Sequence, residues 1–317
     1  MIDFSNKKIL VLGDIILDEY IEGEVSRISP EAPIPILDKH KQYYRLGGAA
    51  NVARNIASLG AKVWLIGRIG NDSAGKRVIK LLTKDNIYVD LLLKDSKIPT
   101  ILKTRYVANN QQLLRVDYED RTSVIQNKKF QKLLNQDLDR HMRYFDGMII
   151  SDYNKGVVYP KLLQHISCIQ KKYQKILTAD THKIDWTPFK GFTCLTPNLK
   201  EFQTACNVFV NGLHLLSRYG KQYLKKYRLK QLLITLGQNG MLLVSEKRTK
   251  YLASQKRSII DVTGAGDTVI ATYTLGLAAG LPPLKAAILA NRAAGIVVTK
   301  PGTATVTTEE LWSKKKI

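Results

Sequence analysis

Short apolar runs alternate along the chain with longer segments of helical periodicity. The apolar runs have the length and composition of strands that are buried on both faces of a sheet, and they are Ile9–Leu12, Val63–Ile66, Met148–Ile150, Ile176–Ala179 and Leu232–Leu236. The helical segments are Ala49–Leu59, Ser73–Thr83, Asn127–His141, Pro160–Lys172, Gly212–Tyr227, Ala265–Ala279 and Pro282–Val298. This order predicts βαβ units, and therefore an α/β fold with a doubly wound, mainly parallel sheet.

Two stretches depart from this alternation. Residues 19–44 have no helical period and contain three prolines, and residues 100–118 alternate in the manner of strands. Together they predict a small β subdomain at the carboxyl ends of the main strands, where open α/β sheets bind their ligands. We therefore expect a single domain over residues 1–317, with a β lid formed by about residues 19–44 and 100–118.

Composition excludes several classes of protein. Of the 317 residues, 44% are hydrophobic and 24% are charged, which excludes disorder as the dominant state. The three cysteines are odd in number and form no C-x-x-C, so a disulfide scaffold or zinc cluster is not expected, and a reducing cytoplasm fits the chain. The apolar stretch Ile9 to Leu17 is interrupted by Asp14 and lacks a following cleavage site, so a signal peptide is not predicted. The run Val269–Leu281 is too short to span a bilayer, so no membrane segment is predicted.

The chain has a formal net charge of +22 that is concentrated toward its end. Between Arg218 and Arg257 there are eleven basic residues and one acidic residue, Glu246. A cluster of this kind could bind nucleic acid or an anionic surface. The stretch also contains strand-like runs, so we interpret it as the solvated face of a basic protein and keep nucleic-acid binding as an alternative.

The motif Asp261–Thr268, D-V-T-G-A-G-D-T, directly precedes a long apolar helix. Its two glycines, Gly264 and Gly266, let the backbone turn tightly and present bare N–H groups at a helix N-terminus, which favours anion binding. Asp267 falls in the first turn of the same helix. An anion site beside a carboxylate base is the combination that phosphoryl transfer to a hydroxyl requires.

Two further motifs favour a polyol ligand. The segment Gly47–Ala53, G-G-A-A-N-V-A, opens the first long helix with small residues that allow close approach, and Asn51 offers both a donor and an acceptor. The segment Gly13–Asp18 follows the first strand and brings two carboxylates to its carboxyl end. We assign Asp14 to turn formation and Asp18 to sugar hydroxyls.

These motifs resemble the two signatures of the PfkB-type, ribokinase-like carbohydrate kinases. Within that superfamily, the chain is most similar to the D-glycero-β-D-manno-heptose 7-phosphate kinases, which form the kinase half of bifunctional kinase/adenylyltransferases. The resemblance covers essentially residues 8–311. The segments that carry it are Ser26–Pro33, Gly47–Gly60, Asn110–Leu113, Ser151–Gly156, Leu195–Phe202 and Ala293–Val298, with Gly302 and Thr303.

The resemblance implies a role for each matching residue. Asp267 would be the catalytic base, and the anion hole would be formed by Gly264, Ala265 and Gly266. The N-L-x-E motif would serve ATP and Mg²⁺, with Glu201 acting on the metal through water; its residues are Asn198, Leu199, Lys200 and Glu201. The nucleotide would be bordered by Gly237, Gly240 and Asn291. The sugar would be held by Asp18, Gly48 and Asn51, and a monovalent cation is an optional activator.

Three basic residues are candidates for the phosphate groups. Lys155 follows the strand Met148–Ser151 at the ligand-binding end of the sheet, and we favour phosphate binding over an exposed surface lysine. Arg105 and Arg115, on the expected lid strands, are weaker candidates. The chain departs from the family pattern at Asn109, His182 and Leu236, and we interpret His182 and His141 as structural or surface residues.

The resemblance implies ATP-dependent phosphorylation of the anomeric hydroxyl of heptose 7-phosphate to the 1,7-bisphosphate, in ADP-heptose synthesis for the lipopolysaccharide inner core. No adenylyltransferase segment follows within the 317 residues, so we expect a stand-alone kinase with a separate partner enzyme. We also expect a homodimer formed through the lid. The alternatives are a kinase of another sugar, such as a fructose phosphate or ribose, and a nucleic-acid-binding protein on a kinase-like scaffold.

Overall fold

A computed structural model of the chain describes residues 2–109, 111–120, 127, 130, 132, 134, 138–254 and 258–313. The strands are β1 (Lys8–Gly13), β2 (Ile15–Ile28), β3 (Pro35–Gly48), β4 (Lys62–Gly70), β5 (Leu92–Asp95), β6 (Ile101–Ala108), β7 (Gln111–Tyr118), β8 (Gly147–Asp152), β9 (Ile176–Thr181), β10 (Cys194–Leu195), β11 (Gln231–Thr235), β12 (Met241–Ser245) and β13 (Thr249–Leu252). The helices are α1 (Ala49–Ser58), α2 (Ser73–Lys84), α3 (Leu138–Met142), α4 (Pro160–Tyr173), α5 (Leu199–Cys206), α6 (Leu213–Lys226), α7 (Ala265–Ala278), α8 (Pro283–Val297) and α9 (Thr308–Trp312).

The main sheet has nine strands in the order β13-β12-β11-β10-β9-β8-β1-β4-β5. All neighbours from β5 to β11 pair in parallel, and only the β11/β12 and β12/β13 pairs are antiparallel. The antiparallel edge arises because the turn Gly237–Asn239 between β11 and β12 is too short for a crossover helix. The predicted α/β fold with a doubly wound, mainly parallel sheet is confirmed.

Helices cover both faces of this sheet, as the side chains of β1 illustrate. Leu10 and Leu12 enter the hydrophobic core that α3, α4, α5 and α6 cover, whereas Ile9 and Val11 enter the core beneath α1, α2, α7, α8 and α9. All four side chains are fully buried. Since neighbouring residues of a strand point to opposite faces, an uninterrupted apolar run is what a strand with two covered faces requires.

A second, four-stranded sheet has the order β3-β2-β6-β7. The strand β2 follows β1 after the single residue Asp14, and β3 leads directly into α1. The strands β2 and β3 therefore extend beyond the predicted segment 19–44 at both ends, because they run straight out of the main sheet and back into it, whereas β6 and β7 lie within the predicted segment 100–118. Asp18 of β2 lies in register with Arg45 of β3 and Lys103 of β6.

The hydrophobic pattern misses the short elements. The strands β5, β10, β12 and β13 and the helices α5 and α9 were not predicted, because two to eight residues give too few periodic positions to stand out. The predicted helix Asn127–His141 lies partly outside the described residues, and the structure has α3 over Leu138–Met142. The residues 110, 255–257 and 314–317 also lie outside the described part of the chain.

The basic stretch covers one edge of the main sheet. Its described lysines and arginines are exposed on α6, after α6, and around the β12/β13 turn. The hydroxyl of Ser217 donates to Thr249 Oγ1 at 2.9 Å and ties α6 to β13. Within the described residues, the helices are all too short or too polar to cross a lipid bilayer.

Candidate active site

Several carboxylates converge at the carboxyl ends of the central strands. Asp14 follows β1, Asp152 ends β8, Asp180 lies near the end of β9, and Asp267 lies in the first turn of α7. Asp14 accepts three backbone N–H groups, from Tyr153 at 2.9 Å, from Lys155 at 3.0 Å and from Val157 at 3.1 Å. Asp14 thus fixes the loop after β8, as its assignment to turn formation predicts.

Asp267 is held by two hydrogen bonds in a buried position. The Tyr153 hydroxyl donates to Asp267 Oδ1 at 2.9 Å, and the Asn51 amide donates to Oδ2 at 2.7 Å. Only 4% of Asp267 is exposed, and burial raises the pKa of its carboxyl to about 6, although both hydrogen bonds favour the ionised form. A carboxylate with a pKa just below neutral is well placed to accept a proton at physiological pH.

Gly264, which begins α7, requires a residue without a Cβ atom. Its φ is +78°, and a Cβ atom there would lie 2.6 Å from the Asn51 amide nitrogen. The Ala265 N–H donates to Val262 O at 3.2 Å within the turn, so the amides that follow it point out of the first turn of the helix. This N-terminus, beside Asp267, has the character of an anion site.

The Gly47–Ala53 motif faces the same point. Gly48 has φ +57°, and a Cβ atom there would lie 2.4 Å from the carbonyl oxygen of Asp14. Asn51 is fully buried, and its Oδ1 accepts no hydrogen bond from any residue that the structure describes. An amide oxygen in this position is available to a ligand hydroxyl. The structure therefore brings Gly48, Asn51 and Gly264 together with Asp267.

Asp18 and the three basic candidates lie in one charged cluster at the small sheet. Asp18 Oδ1 lies 2.5 Å from Arg105 Nη1; burial raises the pKa of Asp18, while Arg105 acts against that rise. Arg115 lies opposite Arg105 on β7 and pairs with Asp117 at 2.8 Å. Lys155 Nζ lies 2.6 Å from the Glu119 carboxylate. Lys155 and Arg105 are largely buried, whereas half of the Arg115 side chain is exposed.

A cavity of 420 Å³ lies on the other side of the α7 N-terminus. Three residues that were expected to border the nucleotide, Gly237, Gly240 and Asn291, line it together with Ala265 and Gly266. Apolar side chains such as Ile259, Val262 and Val298 form much of the remaining wall. The shape and apolar lining suit a flat heterocycle, and the α7 N-terminus lies at the end where phosphates would follow.

The four residues of the N-L-x-E motif have separate roles in the structure. Asn198 and Glu201 form a capping box at the start of α5, in which each side chain accepts the other residue's backbone N–H. Leu199 packs against the core, and Lys200 is exposed. Glu201 also reaches His182, whose Nδ1 lies 2.6 Å from Glu201 Oε1.

The carboxylates of Asp180 and Glu201 are suitable ligands for Mg²⁺. Burial raises the pKa of Asp180, and the largest electrostatic contribution to that rise comes from Glu201, so the two carboxylates act on each other. Within the described residues, no group of three or more His, Cys, Asp or Glu side chains could hold a metal ion. Mg²⁺ in nucleotide enzymes is usually held by one or two carboxylates, water and phosphate oxygens, and the pair Asp180 and Glu201 meets that requirement.

Tyr153 and His182 belong to the site, and the sequence reasoning missed both. His182 was interpreted as a structural or surface residue, but it contacts Glu201 and packs edge-on against the Tyr153 ring at 4.8 Å between centroids. His182 and Tyr153 therefore link the Glu201 carboxylate to Asp267. A signal was present, because Tyr153 directly follows β8 and His182 directly follows β9, and both strands end at the ligand-binding edge.

Known proteins resemble this chain along nearly its whole length. The family described as "pfkB family carbohydrate kinase" matches residues 6–310. A protein of Desulfatibacillum aliphaticivorans named "Bifunctional protein HldE" is 41% identical over 97% of this chain and 63% of its own length. The protein of that name from Helicobacter pylori strain G27 is 38% identical over 96% of this chain and 65% of its own length. The chain thus spans less than two thirds of these relatives.

Solved structures share the fold at low sequence identity. Ribokinase of Arabidopsis thaliana, complexed with ribose and ATP, superposes with a TM-score of 0.78 at 18% identity, covering 96% of this chain and 97% of that one. Phosphofructokinase-2 of Escherichia coli, in complex with substrates and products, gives a TM-score of 0.80 at 20% identity, with coverage of 96% and 97%. At such identities the similarity establishes the ribokinase-like fold alone.

Proposed function

Because this chain belongs to the pfkB family of ATP-dependent carbohydrate kinases, we propose that it phosphorylates the anomeric hydroxyl of D-glycero-β-D-manno-heptose 7-phosphate. The product is the 1,7-bisphosphate, in the pathway to ADP-heptose and the lipopolysaccharide inner core. Two lines of support lead to this acceptor: the relatives named HldE at 37–41% identity, and the cationic cluster near Asp18, which suits a sugar that already carries a phosphate group.

The observation that carries the proposal is the position of Asp267 between two potential ligand sites. On one side lie Asn51 of α1, which donates to Asp267, and Asp18 of β2; on the other, Gly266 borders the 420 Å³ cavity. A hydroxyl bound on the first side and a nucleotide bound on the second would meet at the α7 N-terminus. This is the arrangement that direct transfer from ATP to an alcohol needs.

Asp267 acts as the general base in this proposal. The acceptor hydroxyl gives its proton to the Asp267 carboxylate as its oxygen bonds to the γ-phosphorus, and the bond from that phosphorus to the bridging oxygen of ADP breaks. The pKa of about 6 leaves Asp267 mostly ionised at neutral pH. Tyr153 and Asn51 hold one carboxylate oxygen each, so the orientation of the base is fixed before the acceptor arrives.

The backbone amides at the start of α7 stabilise the phosphoryl group during transfer. The unsatisfied N–H groups of the first helical turn, which include those of Gly266 and Asp267, carry the positive end of the helix dipole. A Mg²⁺ ion bound with ATP supplies further charge neutralisation, and Asp180 and Glu201 would hold it. Asp18 and the Oδ1 of Asn51, which accepts no hydrogen bond from the described residues, bind sugar hydroxyls, and Lys155 and Arg105 bind the distal phosphate.

A panel of acceptors tests the proposed substrate. The enzyme would be assayed with ATP and Mg²⁺ on heptose 7-phosphate, fructose phosphates, ribose and unphosphorylated heptose, and product mass and phosphate position would be determined. We expect the highest kcat/KM on heptose 7-phosphate, with the new phosphate at the anomeric carbon. A higher kcat/KM on a fructose phosphate or on ribose would replace this acceptor and leave the kinase class intact.

The pathway assignment requires further reactions after the kinase step. The HldE relatives are longer than this chain, and their name describes them as bifunctional. We propose that the bisphosphate product is passed on for phosphate removal and adenylyl transfer to form ADP-heptose. Because ATP and these intermediates are cytoplasmic, we place the reaction in the cytoplasm, in a homodimer formed through the small sheet.

A further inference from the structure

One carboxylate of the charged cluster has no role in the chemistry proposed above. Glu119 directly follows β7, and its carboxylate lies 2.6 Å from Lys155 Nζ and 3.9 Å from Lys103 Nζ. All three side chains are 12–14% exposed. The contact between Glu119 and Lys155 spans 36 residues and joins the small sheet to the loop after β8.

The backbone of Lys155 is fixed independently of this ion pair. Its N–H donates to Asp14 at 3.0 Å, and the N–H groups of Tyr153 and Val157 on either side bind the same carboxylate. Glu119 is therefore not needed to hold the loop in place. A largely buried ion pair also adds little net stability, because desolvation of both charges offsets most of their attraction. The pair consequently calls for an explanation other than stability.

The charges around Glu119 match a phosphate better than a carboxylate. Lys155 and Lys103 flank the Glu119 position, and Lys103 and Arg115 share the next carboxylate, Asp117, at 2.7 and 2.8 Å. With Arg105 and Asp18, the ion pairs named here comprise four cations and three carboxylates among the described residues. A phosphate dianion in place of the Glu119 carboxylate at Lys155 would add the missing negative charge and offer one more acceptor oxygen.

We propose that Glu119 is an internal counterion of Lys155 that the phosphate group of the acceptor must displace, so that the site excludes free inorganic phosphate. The inference rests on the proposed role of Lys155 toward a phosphorylated acceptor. A free phosphate ion must compete with a carboxylate that is already in place. The phosphate of the acceptor is attached to a sugar that Asn51 and Asp18 also bind. Its effective concentration at Lys155 is therefore high, and it displaces the Glu119 carboxylate. Glu119 thus sets selectivity among anions by competition.

Titration with inorganic phosphate tests this directly. Calorimetry would use the intact enzyme saturated with ADP and Mg²⁺, so that the nucleotide site is filled, at constant ionic strength. We expect Glu119→Gln to lower the Kd for inorganic phosphate by at least about 10-fold, because the neutral amide no longer competes for the Lys155 ammonium; this change corresponds to about 1.4 kcal/mol. Glu119→Ala, as a second variant, should act in the same direction.

Two matched variants test whether the tighter binding of inorganic phosphate arises at the pair of Glu119 and Lys155. Asp117→Asn makes the same change of charge on the same segment without touching Lys155, and it should change the Kd less than about 3-fold. In a Lys155→Met background, Glu119→Gln should not lower the Kd for inorganic phosphate, because the ammonium group that pairs with the Glu119 carboxylate is absent. Thermal unfolding of each variant confirms that the compared proteins are folded.

The outcomes separate this inference from the proposed function. An unchanged or weaker Kd for inorganic phosphate in Glu119→Gln, or tightening that persists without Lys155, overturns the counterion role. Absence of turnover on every sugar phosphate overturns the proposed acceptor, and the phosphate titration still decides the role of Glu119. If both proposals hold, Glu119→Gln also lowers the KM for heptose 7-phosphate, and inorganic phosphate becomes a competitive inhibitor of that variant.

Discussion

The Tyr153 hydroxyl donates a hydrogen bond of 2.9 Å to Oδ1 of Asp267, across 114 residues of sequence. Burial and the neighbouring carboxylates raise the pKa of the Tyr153 phenol well above its ordinary value, so it remains a donor at every physiological pH. The bond favours the ionised form of Asp267 and opposes the rise in pKa that burial causes. Tyr153 thereby positions the proposed base and, together with Asn51, limits the rise in its pKa.

Replacing Tyr153 with phenylalanine should move the acid limb of the pH profile. Loss of a hydrogen bond to the charged carboxylate removes about 1.5–3 kcal/mol, which raises the pKa of Asp267 by about one to two pH units. Since the base must be ionised, kcat/KM should fall most near pH 6 to 7 and recover toward the wild-type value at about pH 9. An acid limb at the wild-type position would remove Tyr153 from control of the base.

Replacing Asp267 with asparagine should abolish most of the chemistry without disturbing the nucleotide site. The amide cannot accept the hydroxyl proton, so we expect turnover to fall by roughly 10²–10⁴-fold, with the Kd for ATP nearly unchanged. Steady-state kinetics and nucleotide binding by calorimetry would measure the two quantities. Near-normal turnover in Asp267→Asn would show that another group takes the proton.

The same substitution should stabilise the protein at high pH. The pKa of Asp267 rises from an ordinary 3.8 to about 6 in the folded state, so the folded state binds its proton more tightly than the unfolded state. This contribution to stability is fully present below about pH 4 and is lost as the pH rises through about 6. Asp267→Asn should therefore gain Tm relative to wild type at pH 8 and gain little at pH 4. Equal Tm differences at both pH values would contradict this linkage.

Replacing Lys155 with alanine should weaken the acceptor selectively. Loss of a charge-assisted hydrogen bond to phosphate costs about 1.5–3 kcal/mol, which corresponds to a KM for heptose 7-phosphate that is roughly 10- to 150-fold higher. The KM for ATP should change far less. Varying each substrate separately decides the role, because a surface lysine would leave both constants unchanged and a ligand of the ATP phosphates would alter the ATP constant first.

The exposed strand β7 predicts a homodimer. Every residue of β7 is exposed, and Leu114, Val116 and Tyr118 are 56%, 48% and 62% exposed on an edge strand of the small sheet. Apolar edges of this kind are normally covered or paired. We expect light scattering to give a dimer at micromolar concentration and a monomer after Leu114→Lys with Val116→Lys. A wild-type monomer would contradict the prediction, and Lys226→Glu on the distant α6 is a control that should leave the mass unchanged.

Much of the candidate site follows from local sequence. The D-V-T-G-A-G-D-T and G-G-A-A-N segments identify Asp267, Gly264 and Asn51, because tight turns before helices leave recognisable glycines. Gly237, Gly240 and Asn291, which the family resemblance implied as neighbours of the nucleotide, line the cavity. His182 and Tyr153 escaped notice because each is a single residue after a strand, and only the meeting of β8 and β9 with α7 places them next to each other.

Residue order alone is enough to predict the layers of this protein and many of the reactive groups in its candidate site. Apolar runs of strand length and helical periods dictate an α/β sheet with two covered faces, since the burial pattern depends only on residue order. The interaction partner of each side chain does not follow from residue order, because ion pairs and proton pathways depend on which side chains meet in space. The pairing of Lys155 with Glu119 and the contact between His182 and Glu201 therefore become visible in the folded chain alone. The same holds for Tyr153 and Asn51, which each donate to a different oxygen of Asp267.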